Sequence, residues 1–135
     1  MIAGGRVARL PSRGRPAGDE GDRPGAAERA SAAGVTEIWI DPGFGFGKTF
    51  EHNLELLVHL DRIVALGWPV LVGTSRKAML GRMLAASDGT AEVPSPDDRL
   101  SGSIATEVWA MHNGVTMIRA HDVRTAVQAA KVVAA

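Results

Sequence analysis

The chain has 135 residues, equal numbers of basic and acidic side chains, a formal net charge of zero and no cysteine. That length suits one modest domain, and neutrality argues against nucleic acid or a charged membrane surface as a partner. The missing thiols exclude disulfides and thiolate metal sites and fit a reducing, cytoplasmic setting, no apolar run approaches the ~20 residues of a bilayer span, and the N-terminus lacks the apolar core of a secretory signal.

Residues 1–32 read as a low-complexity Arg/Gly/Pro/Ala-rich segment that is disordered. Ile2, Val7 and Leu10 are its only branched aliphatics, too few to repay the entropy of ordering. Pro11, Pro16 and Pro24 interrupt any long helix, and Asp19, Glu20, Asp22 and Glu28 nearly balance the arginines. One short helix is expected over "GAAERASAA", with Gly34 as its stop.

Residues 33–135 are regular. "VTEIWI" is a β-branched and aromatic run ending at Asp41. "HNLELLVHLDRIVAL" places Leu56, Leu57, Leu60, Ile63 and Val64 on one helical stripe. "WPVLVG" reads as a second buried strand ending at Gly73, and "RKAMLGRMLAA" as a short helix with Ser75 placed to cap it. After the polar loop "SDGTAEVPSPDD", a long helix is expected from about Asp97 to His112, burying Leu100, Ile104, Val108 and Met111. "VTMIRAH" is a third strand, and Asp122 caps a last helix whose apolar face includes Val123, Ala126 and Val127. Apolar strands alternating with amphipathic helices predict a parallel α/β fold. Three strands are too few to close a (β/α)8 barrel, which takes about 250 residues, so the region is a compact open sheet or a piece of a larger barrel.

The reactive residues all fall where a strand ends, which is where parallel β/α folds gather ligand-binding groups. "DPGFGFGKTF" narrowly misses both the P-loop and the dinucleotide fingerprint. Asp41 is either a turn residue or a carboxylate that orients a ligand. Arg76 and Lys77 begin a helix, where cations oppose the macrodipole, and so point to an anionic ligand. Arg119 interrupts an apolar strand and needs a partner; His121 is either a satisfied core histidine or an anion contact. His52, His59 and His112 sit on helical segments away from this edge, and without cysteine they make no zinc site. One carboxylate and several cations suit a flat heterocycle and a departing phosphate or pyrophosphate. Ser75 and Thr74 have no evident base to make them nucleophiles.

"DPGFGFGKTFEHNLELL", "VLVGTSRKAMLG", "DRLSGSIAT" and "MIRAHDV", in this order and spacing, resemble the dihydropteroate synthases over roughly residues 33–133. The resemblance implies a partial (β/α)8 TIM barrel, about the last three β/α units, from the folate pathway. The family joins 6-hydroxymethyl-7,8-dihydropterin pyrophosphate to p-aminobenzoate and releases pyrophosphate, with Mg2+ assisting and sulfonamides competing. By the same resemblance Asp41 would bond the pterin ring and Lys77 its polar edge, with Gly73 beside them. Phe46 would line the aminobenzoate side, with Ser75 and Arg76 near the aminobenzoate carboxylate. Arg119 would stack on the pterin and, with His121, hold the pyrophosphate. Lys77, Arg119 and His121 are thus the expected catalytic groups. Ala120 stands where the family usually has valine. Residues 1–34 contain no counterpart of the family's magnesium-binding Asn, its mobile loops or its other pterin contacts, and the fifth strand is missing with them. The expectation is therefore a truncated or frame-disrupted form with no metal ligand of its own. Its site would be completed by another chain or by self-association as a homodimer; otherwise the chain is a non-catalytic pterin- or phosphate-binding remnant.

Overall fold

The computed structural model describes residues 6–9 and 23–135. In chain order the elements are β1 (Arg6–Arg9), α1 (Arg23–Ala32), β2 (Ile38–Asp41), α2 (Phe50–Val58), α3 (Leu60–Val64), β3 (Leu71–Val72), α4 (Ala78–Ser87), a 3-10 turn (Pro96–Arg99), α5 (Leu100–His112), β4 (Met117–Ile118) and α6 (Val123–Val133). All pairings among the described residues are parallel. β1 lies beside β2 with Arg6 opposite Ile38 and Arg9 opposite Asp41, and β3 lies beside β4 with Leu71 opposite Met117. An Ile40–Val70 bridge joins the two pairs, reinforced by the Ile40 amide donating to the Pro69 carbonyl at 2.8 Å. Strand order therefore follows chain order, as successive β/α units produce.

One element corrects the reading of residues 1–32. Arg6–Arg9 form a strand, so the position alongside β2 expected to be missing is filled; "RVAR" holds too few apolar residues to signal a strand, and its order comes from pairing with β2. Arg23–Ala32 form the short helix expected there, begun two residues earlier, with Pro24 in the first turn, where its missing N–H costs nothing. The helix ends as expected at Gly34, where the Val35 amide returns to the Ala30 carbonyl at 3.0 Å. The remainder of that segment lies outside the described residues.

The core is built from the strands and one face of each helix. Ile40, Val70, Val72, Leu60, Leu80 and Phe44 are all at most 4% exposed, and full burial of such a side chain is worth about 1.5–3 kcal/mol. The single helix expected over residues 52–66 is two, α2 and α3, parted at His59 (φ −104°, ψ 29°). Leu57, Leu60 and Ile63 recur every three residues, and a straight helix would drift them round its axis; the break keeps all three buried.

The expected core faces of α5 and α6 also differ. α5 buries Ser103, Thr106, Glu107 and Ala110, whereas Leu100 is exposed and Ile104, Val108 and Met111 are only partly covered. Hydroxyls can be buried cheaply when hydrogen-bonded, and Ser103 and Thr106 donate to the Arg99 and Gly102 carbonyls at 2.8 and 3.0 Å. On α6 Ala126 is buried while Val123 and Val127 face outward. Among the described residues no helix is long and apolar enough to cross a membrane.

Candidate functional site

The loop after β2 is organised from inside. The Gly43 amide donates to Asp41 Oδ1 at 2.8 Å, an Asx turn that reverses the chain at the strand's end. Gly43, Gly45 and Gly47 all have positive φ (73°, 75° and 61°), a region that costs glycine little. The residues between them alternate: Phe44 drops into the core at 1% exposure while Phe46 stays half-buried. Lys48 Nζ donates to the Gly43 and Phe46 carbonyls at 2.9 and 3.4 Å, so it anchors the loop. Asn53, 3% exposed, accepts the Gly45 amide at 2.7 Å and donates to the Thr49 carbonyl at 2.6 Å. Thr49 caps α2, accepting from the His52 amide at 3.2 Å.

The turn after β3 faces this loop. Lys77 Nζ lies 4.2 Å from the centre of the Phe46 ring, within cation–π range. Ser75 does not cap α4 as expected; Lys77 holds the cap position and its side chain makes no capping bond to the helix. Ser75 Oγ instead accepts the His121 amide and pairs with His121 Nδ1, both at 3.1 Å. One hydroxyl thus ties the end of β3 to the segment after β4.

Arg76 sits between Ser75 and Lys77 with φ 58°, the one non-glycine with positive φ among the described residues. Such a conformation costs on the order of 1–3 kcal/mol and persists only where surroundings impose it. Its amide donates to Ser103 Oγ at 2.9 Å and its carbonyl accepts from Arg99 Nη1 at 3.0 Å. Its guanidinium makes two bonds to Asp122, at 3.2 and 3.0 Å, and one to Asp97 at 2.6 Å. The Asp122 hydrogen bonds raise the pKa of the Arg76 guanidinium above its ordinary value. Asp122 stands at the N-cap of α6 but spends its side chain on Arg76, with no capping bond to the helix.

Gly73 and Arg119 are also brought together. A β-carbon on Gly73 would lie 2.8 Å from Arg119 Nη2 and 3.0 Å from Nε, so the guanidinium rests on bare backbone. Gly73→Ala should therefore displace the Arg119 head while leaving the fold nearly intact, since a flexible side chain can move aside. We expect a melting temperature within about 3 °C of wild type, roughly the shift for 0.5 kcal/mol in a domain of this size. The displaced head should show as a shifted Arg119 Nε–H signal in the NMR spectrum of the variant.

Asp41, Phe46, Gly73, Ser75, Arg76, Lys77, Arg119 and His121 thus all lie at the carboxyl ends of β2, β3 and β4, with Lys77 on Phe46, Arg119 on Gly73 and His121 on Ser75. Between the glycine loop and α4 lies a cavity of about 190 Å³ bordered by Gly45, Phe50, Asn53, Lys77, Ala78 and Arg82. That is below the roughly 300–1,000 Å³ of a whole small-molecule site. No group of three or more His, Asp or Glu that could hold a metal is present among the described residues. Sequence reasoning missed Asn53, Ser103 and Arg99. For Asn53 a signal existed: it precedes Leu57 by four residues and Leu60 by seven, on the buried stripe.

These are the marks of a parallel β/α protein whose cations, carboxylate and glycine loop gather at its strand ends. Residues 22–121 match the family described as pterin binding enzyme, and the chain belongs to that family. It is 46% identical over 110 residues to dihydropteroate synthase of Mycobacterium leprae, covering 80% of this chain and 38% of that protein. To the Escherichia coli dihydropteroate synthase it is 42% identical over 109 residues, covering 79% and 36%. The structure of the Thermus thermophilus dihydropteroate synthase in complex with 6HMPPP superposes with a TM-score of 0.74 at 47% identity, covering 82% of this chain and 41% of that one. The same enzyme in complex with 4-aminobenzoate gives 0.72 at 47% identity, covering 82% and 42%. The chain therefore spans about two fifths of the length of the relatives it matches.

Proposed function

We propose that this chain carries the pterin- and aminobenzoate-facing strand ends of a dihydropteroate synthase, as an arc of a (β/α)8 barrel whose other units supply the rest of the site. The observation that carries this reading is the meeting of Lys77 with Phe46, Arg119 with Gly73 and His121 with Ser75 along one sheet edge. Support also comes from the solved relative in complex with 4-aminobenzoate and with 6HMPPP.

In the reaction, the C–O bond between the pterin methylene and pyrophosphate breaks, the aniline nitrogen of p-aminobenzoate bonds to that carbon, and the nitrogen gives up one proton. Asp41, with Oδ2 in no hydrogen bond among the described residues, accepts N–H donors of the pterin; Lys77 reaches the polar edge of the same ring. Arg119 stacks on the pterin over Gly73 and, with His121, neutralises the charge that gathers on the departing pyrophosphate. Ser75 fixes the His121 ring through Nδ1. Phe46 borders the aminobenzoate. Arg76 keeps its Asp122 bonds and can turn Nη1 toward the aminobenzoate carboxylate, because the Asp97 partner is 85% exposed and exposed pairs are worth little. A magnesium ion, when bound, would be held by groups that the rest of the barrel supplies.

The test is dihydropteroate formation from the two substrates with magnesium, by the chain alone and mixed with an N-terminal half of a relative. We expect turnover in the mixture only. No turnover in either, with no binding of pterin pyrophosphate, would overturn the proposal and leave a non-catalytic remnant.

A further inference from the structure

Glu107 stands on the buried face of α5 at 1% exposure, and neither carboxylate oxygen has a hydrogen-bond partner among the described residues. An ionised carboxylate so placed would be costly to bury, whereas a neutral one is tolerable. α5 packs along α6, and Glu107 is near enough to Asp122, at the N-cap of α6, for that charge to act on it. The charged and titratable groups on the elements packed against α5 are Arg76 and Lys77 of the turn after β3, Asp97, Asp98 and Arg99 of the 3-10 turn, Arg82 of α4, Arg119 and His121 after β4, and Asp122, Arg124 and Lys131 of α6. Arg99 is committed to the Pro94 and Arg76 carbonyls and Asp122 to the Arg76 guanidinium, and Asp122 is the one whose charge bears on Glu107.

We infer that Glu107 is a pH-sensitive pin at the junction of α5 and α6: protonated, it lets the helices close, and ionised, it forces them apart and loosens the grip of Asp122 on Arg76. Burial, and then the Asp122 charge, push the Glu107 pKa up from the ordinary 4.5 to about 7. The folded-state value is raised, so the contribution to stability is complete below 4.5 and is lost as pH rises through about 7. This concerns the folded chain itself and stands whether or not the proposed chemistry does.

The experiment is a side-chain carbon NMR titration of the 135-residue chain and of Glu107→Gln, with melting temperatures and amide-exchange protection of the first turn of α6 over about pH 5 to 8, the range that brackets the shifted carboxyl. One glutamate carboxyl should titrate near 7 and vanish in the variant. The wild-type melting temperature should fall across this range more steeply than that of Glu107→Gln, which stays neutral, and protection of Arg124 and Thr125 should fall only in the wild type. Glutamates that all titrate below about 5, the ordinary range, would overturn the inference. So would equal pH slopes in the two proteins, or a midpoint near 7 with α6 protection unchanged.

Discussion

Phe44→Ala should lower folding stability by about 3–5 kcal/mol, the range for emptying a buried phenylalanine site, while Phe46→Ala should cost less than about 1 kcal/mol. The two residues are two positions apart in one glycine loop and undergo the same chemical change. Phe44 is 1% exposed and belongs to the core with Ile40, Val70 and Leu80. Phe46 is half-buried, and its ring meets Lys77 at 4.2 Å. A total stability of about 5–15 kcal/mol makes the first loss a large fraction of the whole. Urea melts of both variants decide the matter through their midpoints, provided the slope is unchanged. Under the proposed function the order reverses for aminobenzoate affinity in the completed barrel, which Phe46→Ala should reduce and the more conservative Phe44→Leu should spare. Equal destabilisation by the two alanine variants would mean that the loop does not alternate between core and ligand.

The contrast shows where the sequence is readable and where it is not. β2, β3 and β4 announce themselves as short apolar runs, and the polar residues after each are legible because strand ends in parallel folds are where such groups collect. β1 is not legible, since its strand character comes from backbone pairing along β2 and not from "RVAR" itself. The faces of α5 and α6 mislead for a related reason. Periodicity ranks residues by hydrophobicity, but Ser103 and Thr106 are buried because β3 and the turn after it offer them partners, Arg76 N–H and Thr74 Oγ1 at 2.9 Å each. Those partners are 27 and 32 residues away, beyond any local pattern. Ser75 fails as a cap because Arg76 takes a positive φ and carries the helix start on to Lys77. The resemblance names the site residues, while the devices that hold them, Asn53 under the loop and Ser103 behind Arg76, emerge only from the three-dimensional packing.

Asp41→Asn should leave the fold intact and cut affinity for pterin pyrophosphate by at least on the order of 100-fold, about 2.7 kcal/mol. Under the proposed function Asp41 has two tasks that this change separates. Oδ1 accepts the Gly43 amide at 2.8 Å, and the amide oxygen of asparagine can do the same, so stability should change by less than about 1 kcal/mol. The second oxygen becomes an NH2 group that meets the ring N–H donors with a donor of its own, and the negative charge is lost with it. A site built to receive hydrogen bonds rejects a mismatched partner strongly because buried polar groups are left unpaired. Asp41→Ala removes both tasks and should add about 1 kcal/mol of instability from the orphaned Gly43 amide. Calorimetric titration of the completed barrel with pterin pyrophosphate, beside thermal melts of each variant, reads the two effects independently. Wild-type affinity in Asp41→Asn would reduce Asp41 to a turn residue and remove the carboxylate from the proposed site; a stable fold with lost affinity would place the ring-holding charge at the end of β2.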